Sequence, residues 1–217
     1  MLNYLPPLAS ALLLVGLLWA EKAQRPWLSL ACKVPISVLF VITAMIQPHP
    51  LPWYYHYLLI GLTLGLVGDV CLGLPGDRAF RIGLVSFLAG HLLYVLAFIR
   101  LAPAAGWFTW PVLVFLAVSL GAFLWLRPNL GQMLIPVSAY IVVITVMLMG
   151  AWAVFYDATQ ARPAAWAILV GAITFYISDL LVARDRFVSN GWINRLLGLP
   201  LYFGGQFLLA FSVGLVG

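Results

Sequence analysis

Charge is scarce in this sequence. Lysine, arginine, aspartate and glutamate make up 8% of the 217 residues, against 65% hydrophobic residues. A soluble domain carries about a quarter charged residues, so a chain with so few cannot clothe itself in a polar surface and must be solvated by lipid. Cysteine and histidine are sparse too, at two and three. Cys32 and Cys71 both fall in apolar stretches, and two cysteines make no disulfide framework. A zinc site needs three or four converging Cys, His or carboxylate ligands. Only His91 belongs with the inner polar residues described below; His49 and His56 sit at the opposite rim among prolines and aromatics. No metal or cofactor is expected. There is no Gly-x-Ser-x-Gly elbow, phosphate loop or dinucleotide fingerprint. The net charge of +5 comes from basic residues scattered through short loops without forming a stripe, which argues against nucleic acid as a partner.

What is abundant is apolar length. Mean hydropathy is +1.08, and a spanning helix needs roughly 20 mostly apolar residues. The expectation is an all-α fold: a polytopic bundle of about eight transmembrane helices, residues 1–217 as a single domain. The expected spans are Asn3 to Ala20, Trp27 to Ile46, Trp53 to Leu74, Phe80 to Leu101, Trp107 to Leu126, Met133 to Phe155, Pro163 to Ala183 and Leu196 to Val216. The first lacks a basic leader and a small-residue cleavage site, so it reads as a retained helix. Between the spans lie short turns such as Gln47-Pro48-His49-Pro50 and Pro75-Gly76-Asp77-Arg78, too short for an extramembrane catalytic domain.

Orientation follows from the basic residues in the loops. Lys22, Arg25, Arg78, Arg81, Arg127, Arg184, Arg186 and Arg195 fall on one side, with Arg100 and Arg162 on the other. This puts the heavily basic loops in the cytoplasm and both termini on the non-cytoplasmic side. Arginine greatly outnumbers lysine, a balance that hints at a bacterial chain and hence the inner (plasma) membrane.

A charged side chain at the middle of a spanning helix costs roughly 2.5–3.5 kcal/mol on insertion scales, and such residues are functional candidates that seek partners inside the bundle. Lys33, Asp69 and Asp179 are the three. Each lies within about two turns of the cytoplasmic end of its span. His91, Tyr140, Tyr202 and Gln206 fall at comparable depth, so that six helices contribute to one polar layer. Helical phase turns these residues inward. Gly61, Gly65 and Asp69 recur at i, i+4, i+8, on a face whose small residues permit close packing. Gly83, Phe87, His91 and Tyr94 share a face, as do Gly171, Phe175 and Asp179; Gly198, Tyr202 and Gln206; and Ser29, Lys33 and Ser37. Plainer roles compete: snorkelling for Lys33, pairing with Lys33 or Arg78 or a place as simple rim carboxylates for the aspartates, and interhelical hydrogen bonds or packing for His91, Tyr140, Tyr202 and Gln206. The case for a site rests on the two aspartates together.

The motifs Gly68-Asp69, Phe87-x-x-Gly90-His91-x-x-Tyr94, Pro136-Val137-x-x-Tyr140, Ser178-Asp179 followed by Arg186-Phe187, and Tyr202-x-x-x-Gln206 resemble those of the YhhN-like family of membrane lysoplasmalogenases. Lys33 and Pro35 resemble the family's lysine-proline element, with Val34 separating them here. The resemblance runs from about the second helix to the last. It implies an eight-helix hydrolase that cleaves the vinyl ether of a lysoplasmalogen, releasing a fatty aldehyde and glycerophosphoethanolamine or glycerophosphocholine, with Asp69 and Asp179 as its paired aspartates.

The residues suit that chemistry. A vinyl ether is electron-rich and opens only after protonation on carbon, which gives an oxocarbenium ion for water to capture. One carboxylic acid must supply the proton and one carboxylate must stay ionised, the division of labour that glycosidases use around a similar cation. Two aspartates in unlike surroundings can split these roles, but the sequence leaves open which does which. Lys33 would bind the headgroup phosphate or bias one aspartate; His91, Tyr140, Tyr202 and Gln206 would position water and the glycerol hydroxyl. The partner would be a lysophospholipid held in the bilayer, among membrane lipids. Two alternatives stand beside this reading, a small secondary transporter and a non-catalytic lipid-binding membrane protein. Oligomeric state is not legible.

Overall fold

A computed structural model describes residues 5–217. Eight long helices make up the chain: α1 (Leu5–Lys22), α2 (Pro26–Ile46), α3 (Pro52–Gly73), α4 (Asp77–Leu101), α5 (Trp110–Leu126), α6 (Leu134–Tyr156), α7 (Arg162–Ala183) and α8 (Trp192–Ser212). No strand is present among the described residues. The expected spans agree with these helices to within about four residues; the expected start of the first, at Asn3, lies outside the described residues. Proline near the first position opens α2, α3, α5 and α7, where its missing N–H costs nothing. α8 begins at Trp192, four residues before the expected Leu196, because Asn194, which is buried, and Arg195, which pairs with Glu21, belong to its first turns rather than to a loop.

In hydrocarbon every backbone N–H and C=O must be satisfied within the protein, which is why an apolar chain of this kind folds as helices. Seven of the helices are long and apolar enough to cross a membrane. The eighth, α8, has 21 residues, enough for about 30 Å, and the polar residues that reduce its hydropathy are turned inward. The outer faces carry the large apolar residues Leu8, Leu12, Val15, Val85, Leu113 and Ile135, surface that lipid must cover. Trp19, Trp27, Trp110, Tyr156 and Trp166 are exposed near helix ends, the depth at which amphipathic rings favour the membrane interface. The chain is an integral membrane protein.

The helices are not arranged in simple sequence order. α2, α3, α4, α6, α7 and α8 pack successively into a closed ring; α1 lies outside against α2 and α8, and α5 packs chiefly on α6. α7 and α8 approach most closely where Gly171 faces Gly205: a Cβ on Gly205 would stand 2.8 Å from the Gly171 carbonyl oxygen. The ring interior away from the basic loops is filled by Phe40, Leu58, Leu62, Phe98, Met147 and Ile168, all without solvent exposure. At the end with the basic loops the interior opens instead into a cavity.

Candidate active site

The cavity has a volume of about 830 Å³ and is lined by Lys33, Asp69, Tyr140, Asp179 and Tyr202, among others. Each comes from a different helix of the ring. Asp69, near the end of α3, is 1% exposed. Its Oδ2 accepts hydrogen bonds from Ser37 Oγ at 2.7 Å and from the Tyr202 hydroxyl at 2.5 Å, and Lys33 Nζ stands 3.5 Å from Oδ1. A charged group taken out of water is tolerated only when paired and hydrogen-bonded, and donors on both oxygens meet that need. Ser37 and Lys33 sit one turn apart on α2, the stripe expected from their spacing.

Asp179 on α7 is built differently. The Tyr140 hydroxyl of α6 donates to its Oδ2 at 2.6 Å, and no cation lies within ion-pair distance among the described residues. Among the described residues Oδ1 has no protein donor. Ser178 beside it is buried and also reaches the cavity wall. The two aspartates therefore share a cavity but not a hydrogen-bond environment.

His91 and Gln206 do not line the cavity; they form a second tier behind it. Gln206 Nε2 lies 3.4 Å from the Tyr202 hydroxyl, and the Tyr94 hydroxyl donates to Gln206 Oε1 at 3.3 Å. A chain of donors thus runs from Tyr94 through Gln206 and Tyr202 to Asp69. His91 is 1% exposed and stands edge-on to the rings of Phe175, Tyr140 and Tyr94, with centroids 4.6, 5.4 and 6.0 Å away. Neither ring nitrogen has a hydrogen-bond partner among the described residues. The expected single polar layer is in fact two tiers. Separating them are the mutually edge-on rings of Phe87, Phe175 and Tyr202, 5.3 to 6.2 Å apart.

The glycine face of α3 makes the second tier possible. A Cβ on Gly65 would lie 2.9 Å from Gln206 Nε2, and one on Gly68 would meet the ring of Phe87. Arg78, the other candidate partner for an aspartate, makes no ion pair within 4 Å among the described residues, whereas Lys33 takes the place beside Asp69. Among the described residues no three His, Cys, Asp or Glu side chains cluster as metal ligands.

Around the mouth of the cavity, the connection from α7 to α8 opens with a π-turn, Arg184–Val188, a distortion often found near functional sites. It sends Arg186 across to Asp77 at the start of α4 and over the Phe80 ring at 4.6 Å, and it packs Phe187 edge-on against Phe80. Glu21, Asp185 and Arg195 complete the rim. Sequence reasoning singled out neither Glu21 nor Asp185. Both are near helix ends, where a charged residue carries no signal of burial.

Comparison with known proteins places this arrangement among relatives. The chain is 33% identical to the lysoplasmalogenase TMEM86B of Rattus norvegicus, over 97% of this chain and 83% of that protein. It is 32% identical to a lysoplasmalogenase of Mycobacterium tuberculosis, over 85% of this chain and 68% of the relative. Lysoplasmalogenase TMEM86A of Bos taurus is 30% identical, over 96% and 87%. No solved structure matches. The sequence profile of the YhhN family matches residues 28–213, from the first turn of α2 to the end of α8, and the chain belongs to that family.

Proposed function

We propose that this protein is a lysoplasmalogenase, hydrolysing the vinyl ether of lysoplasmenyl-ethanolamine or lysoplasmenyl-choline by aspartate acid–base catalysis. The observation that carries the reading is the placement of Asp69 and Asp179 in one cavity with unlike hydrogen-bond partners. The names of the relatives support the substrate class.

The partners suggest how the roles divide. Asp69, with donors on both oxygens, acts as the ionised carboxylate. Asp179, held by Tyr140 through Oδ2 alone, has Oδ1 free to carry the transferable proton. Asp179 gives that proton to the second carbon of the alkenyl chain, and the positive charge develops on the first carbon and the ether oxygen. Asp69 stabilises this oxocarbenium ion electrostatically and takes a proton from the water that adds to the first carbon. The resulting hemiacetal collapses when Asp69 returns the proton to the glycerol oxygen and Asp179 recovers one from the hemiacetal hydroxyl. Water has been consumed, aldehyde and glycerophospho-headgroup are released, and both carboxyl groups are restored.

Lys33, 14% exposed in the cavity wall, fixes Asp69 and faces the headgroup phosphate. Tyr140 and Tyr202 orient the two carboxyls; Gln206 and His91 act behind them, Gln206 by aligning Tyr202. A single-chain lipid fits because its sn-1 linkage lies just below the headgroup, the depth of the aspartates relative to the cavity mouth. The excess of basic residues in the loops around the mouth favours a cytoplasmic orientation and draws phosphate-bearing lipid. In the bacterial reading of the composition, this is the inner membrane. All 217 residues are proposed to form one transmembrane domain.

Purified protein should release aldehyde from lysoplasmenyl-ethanolamine and none from its saturated-ether analogue. Asp69→Asn and Asp179→Asn should each lower that release by at least ~10²-fold, the scale of acid–base catalysis. Near-normal turnover in a folded Asp179→Asn protein would remove this residue from the mechanism.

A further inference from the structure

The mouth carries a second charged cluster, separate from the aspartate pair. Glu21, at the end of α1, accepts a hydrogen bond from Ser29 of α2 and pairs through Oε2 with Arg195 Nη1 of α8 at 3.1 Å. Arg195 Nε in turn reaches Asp185 Oδ2 at 3.3 Å. All three side chains line the cavity and are 20%, 25% and 19% exposed for Glu21, Arg195 and Asp185. Two carboxylates thus share one guanidinium. Of the other arginines that line the cavity, Arg186 pairs with Asp77 over Phe80, and Arg25 lies over the Trp19 ring at 5.6 Å. Partly buried charge is costly unless compensated; the triad itself carries a net charge of −1, and Arg184 meets it through the Asn194 amide that donates to Asp185.

The spacing matches a lysophospholipid. Glu21 is held at the level of Ser29, while Lys33 and Ser37, both in contact with Asp69, lie one and two turns deeper on α2. That places the reacting carboxylate about 6–12 Å below Glu21 along the helix. From the first alkenyl carbon to the headgroup nitrogen there are ten bonds, about 12 Å when extended. The phosphate, six bonds along, falls at the level of Lys33 and Arg195. Asp185 also accepts from the Gly191 N–H and from Asn194 Nδ2 at the start of α8, which fixes its position against the mouth.

We propose that Glu21 and Asp185 bind the ammonium group of the headgroup, so that the cavity selects ammonium-bearing lysophospholipids over those whose headgroup is anionic. This inference rests on the lipid-hydrolase reading above, and its test is a binding measurement that requires no turnover. Saturated-ether lysolipids, which lack the cleavable bond, are titrated into the detergent-solubilised protein with three headgroups: phosphoethanolamine, phosphocholine and N-acetylated phosphoethanolamine. The phosphoethanolamine lipid should bind at least tenfold more tightly than its N-acetyl derivative, which keeps the phosphate and loses the cation. The choline lipid, cationic but without N–H donors, should fall between them. In Glu21→Gln, which retains a hydrogen-bonding side chain for Ser29, the tenfold preference should shrink below threefold. Equal binding of the amine and its N-acetyl derivative by the wild-type protein overturns the proposal without recourse to any variant, and so does an undiminished preference in Glu21→Gln. Should the preference hold while the vinyl ether lipid yields no aldehyde, the headgroup site stands and the catalytic reading fails.

Discussion

The pair formed by Lys33 and Asp69 allows a quantitative test of how the site is held. Nζ and Oδ1 are 3.5 Å apart, with the two side chains 14% and 2% exposed. At an effective dielectric constant of about 20, the attraction at that distance is about 5 kcal/mol. Removing both charges from water offsets much of it, so the pair as a unit contributes little net stability, but breaking it from one side leaves a stranded charge and costs about 3–5 kcal/mol. The two partners should differ. Lys33→Met strands Asp69 in the ring interior with only Ser37 and Tyr202 as donors, and should destabilise by about 3 kcal/mol. Asp69→Asn leaves an ammonium that can reach cavity water, and should cost about 1–2 kcal/mol. With both charges removed together, the loss should be no more than about 1 kcal/mol relative to wild type, a coupling of about 3–5 kcal/mol. Unfolding in detergent, followed by the fluorescence of the nine tryptophans, measures all four proteins. Additive effects, with coupling under about 0.5 kcal/mol, would show that Lys33 and Asp69 are not a coupled pair and that the electrostatic argument for an ionised Asp69 is wrong.

Three further outcomes are expected. Tyr140→Phe removes the protein donor to Asp179 and should lower aldehyde release by about 10–100-fold while the protein unfolds close to the wild-type temperature; an unaltered rate would dismiss the contact as incidental. Gly65→Ala pushes a methyl group against Gln206 and should cost about 1–3 kcal/mol together with much of the activity, whereas Gly121→Ala on the outer face of α5, with no atom within 4 Å, should change neither. In the loop between α6 and α7, the backbone N–H and hydroxyl of Thr159 donate to Asp157 and hold its carboxyl below the usual carboxylate range. The stability this contributes is present above the unfolded value of about 4 and fades as pH falls through the lower folded value. The gap in unfolding temperature between wild type and Asp157→Ala should therefore be wider at pH 7 than at pH 3, and a gap that widens in acid would contradict the assignment.

The membrane spans were legible because hydropathy over 20 residues is a strong signal. Asp69 was legible for the opposite reason, as an isolated carboxylate in an apolar run whose i, i+4 glycines declare the face it occupies. Lys33 was a foreseeable partner. Helical phase alone could not set depth within the interior: it turned His91 and Gln206 inward, yet they lie behind the aromatic rings and not on the cavity wall. Nor did chain order reveal that α5 leaves the ring and α6 packs directly on α4, since short loops constrain neighbours in sequence and not closure. The rim was the least readable part. Glu21, Asp185 and Arg195 meet only because α1, the π-turn and α8 converge there, and each looks like an ordinary loop charge on its own.

The aromatic triangle of Phe87, Phe175 and Tyr202 has a bearing on the cell as well as on the lipid. A cavity that opens at one end of the bundle and ends in carboxylates is the first part of a possible proton path, and the donor chain through Gln206 to Tyr94 extends it inward. Beyond it the bundle is filled by Phe40, Leu58, Leu62, Phe98 and Ile168, all without solvent exposure. On the acid–base reading proposed above, that packed stopper would keep the aspartates from becoming part of a proton path across the membrane.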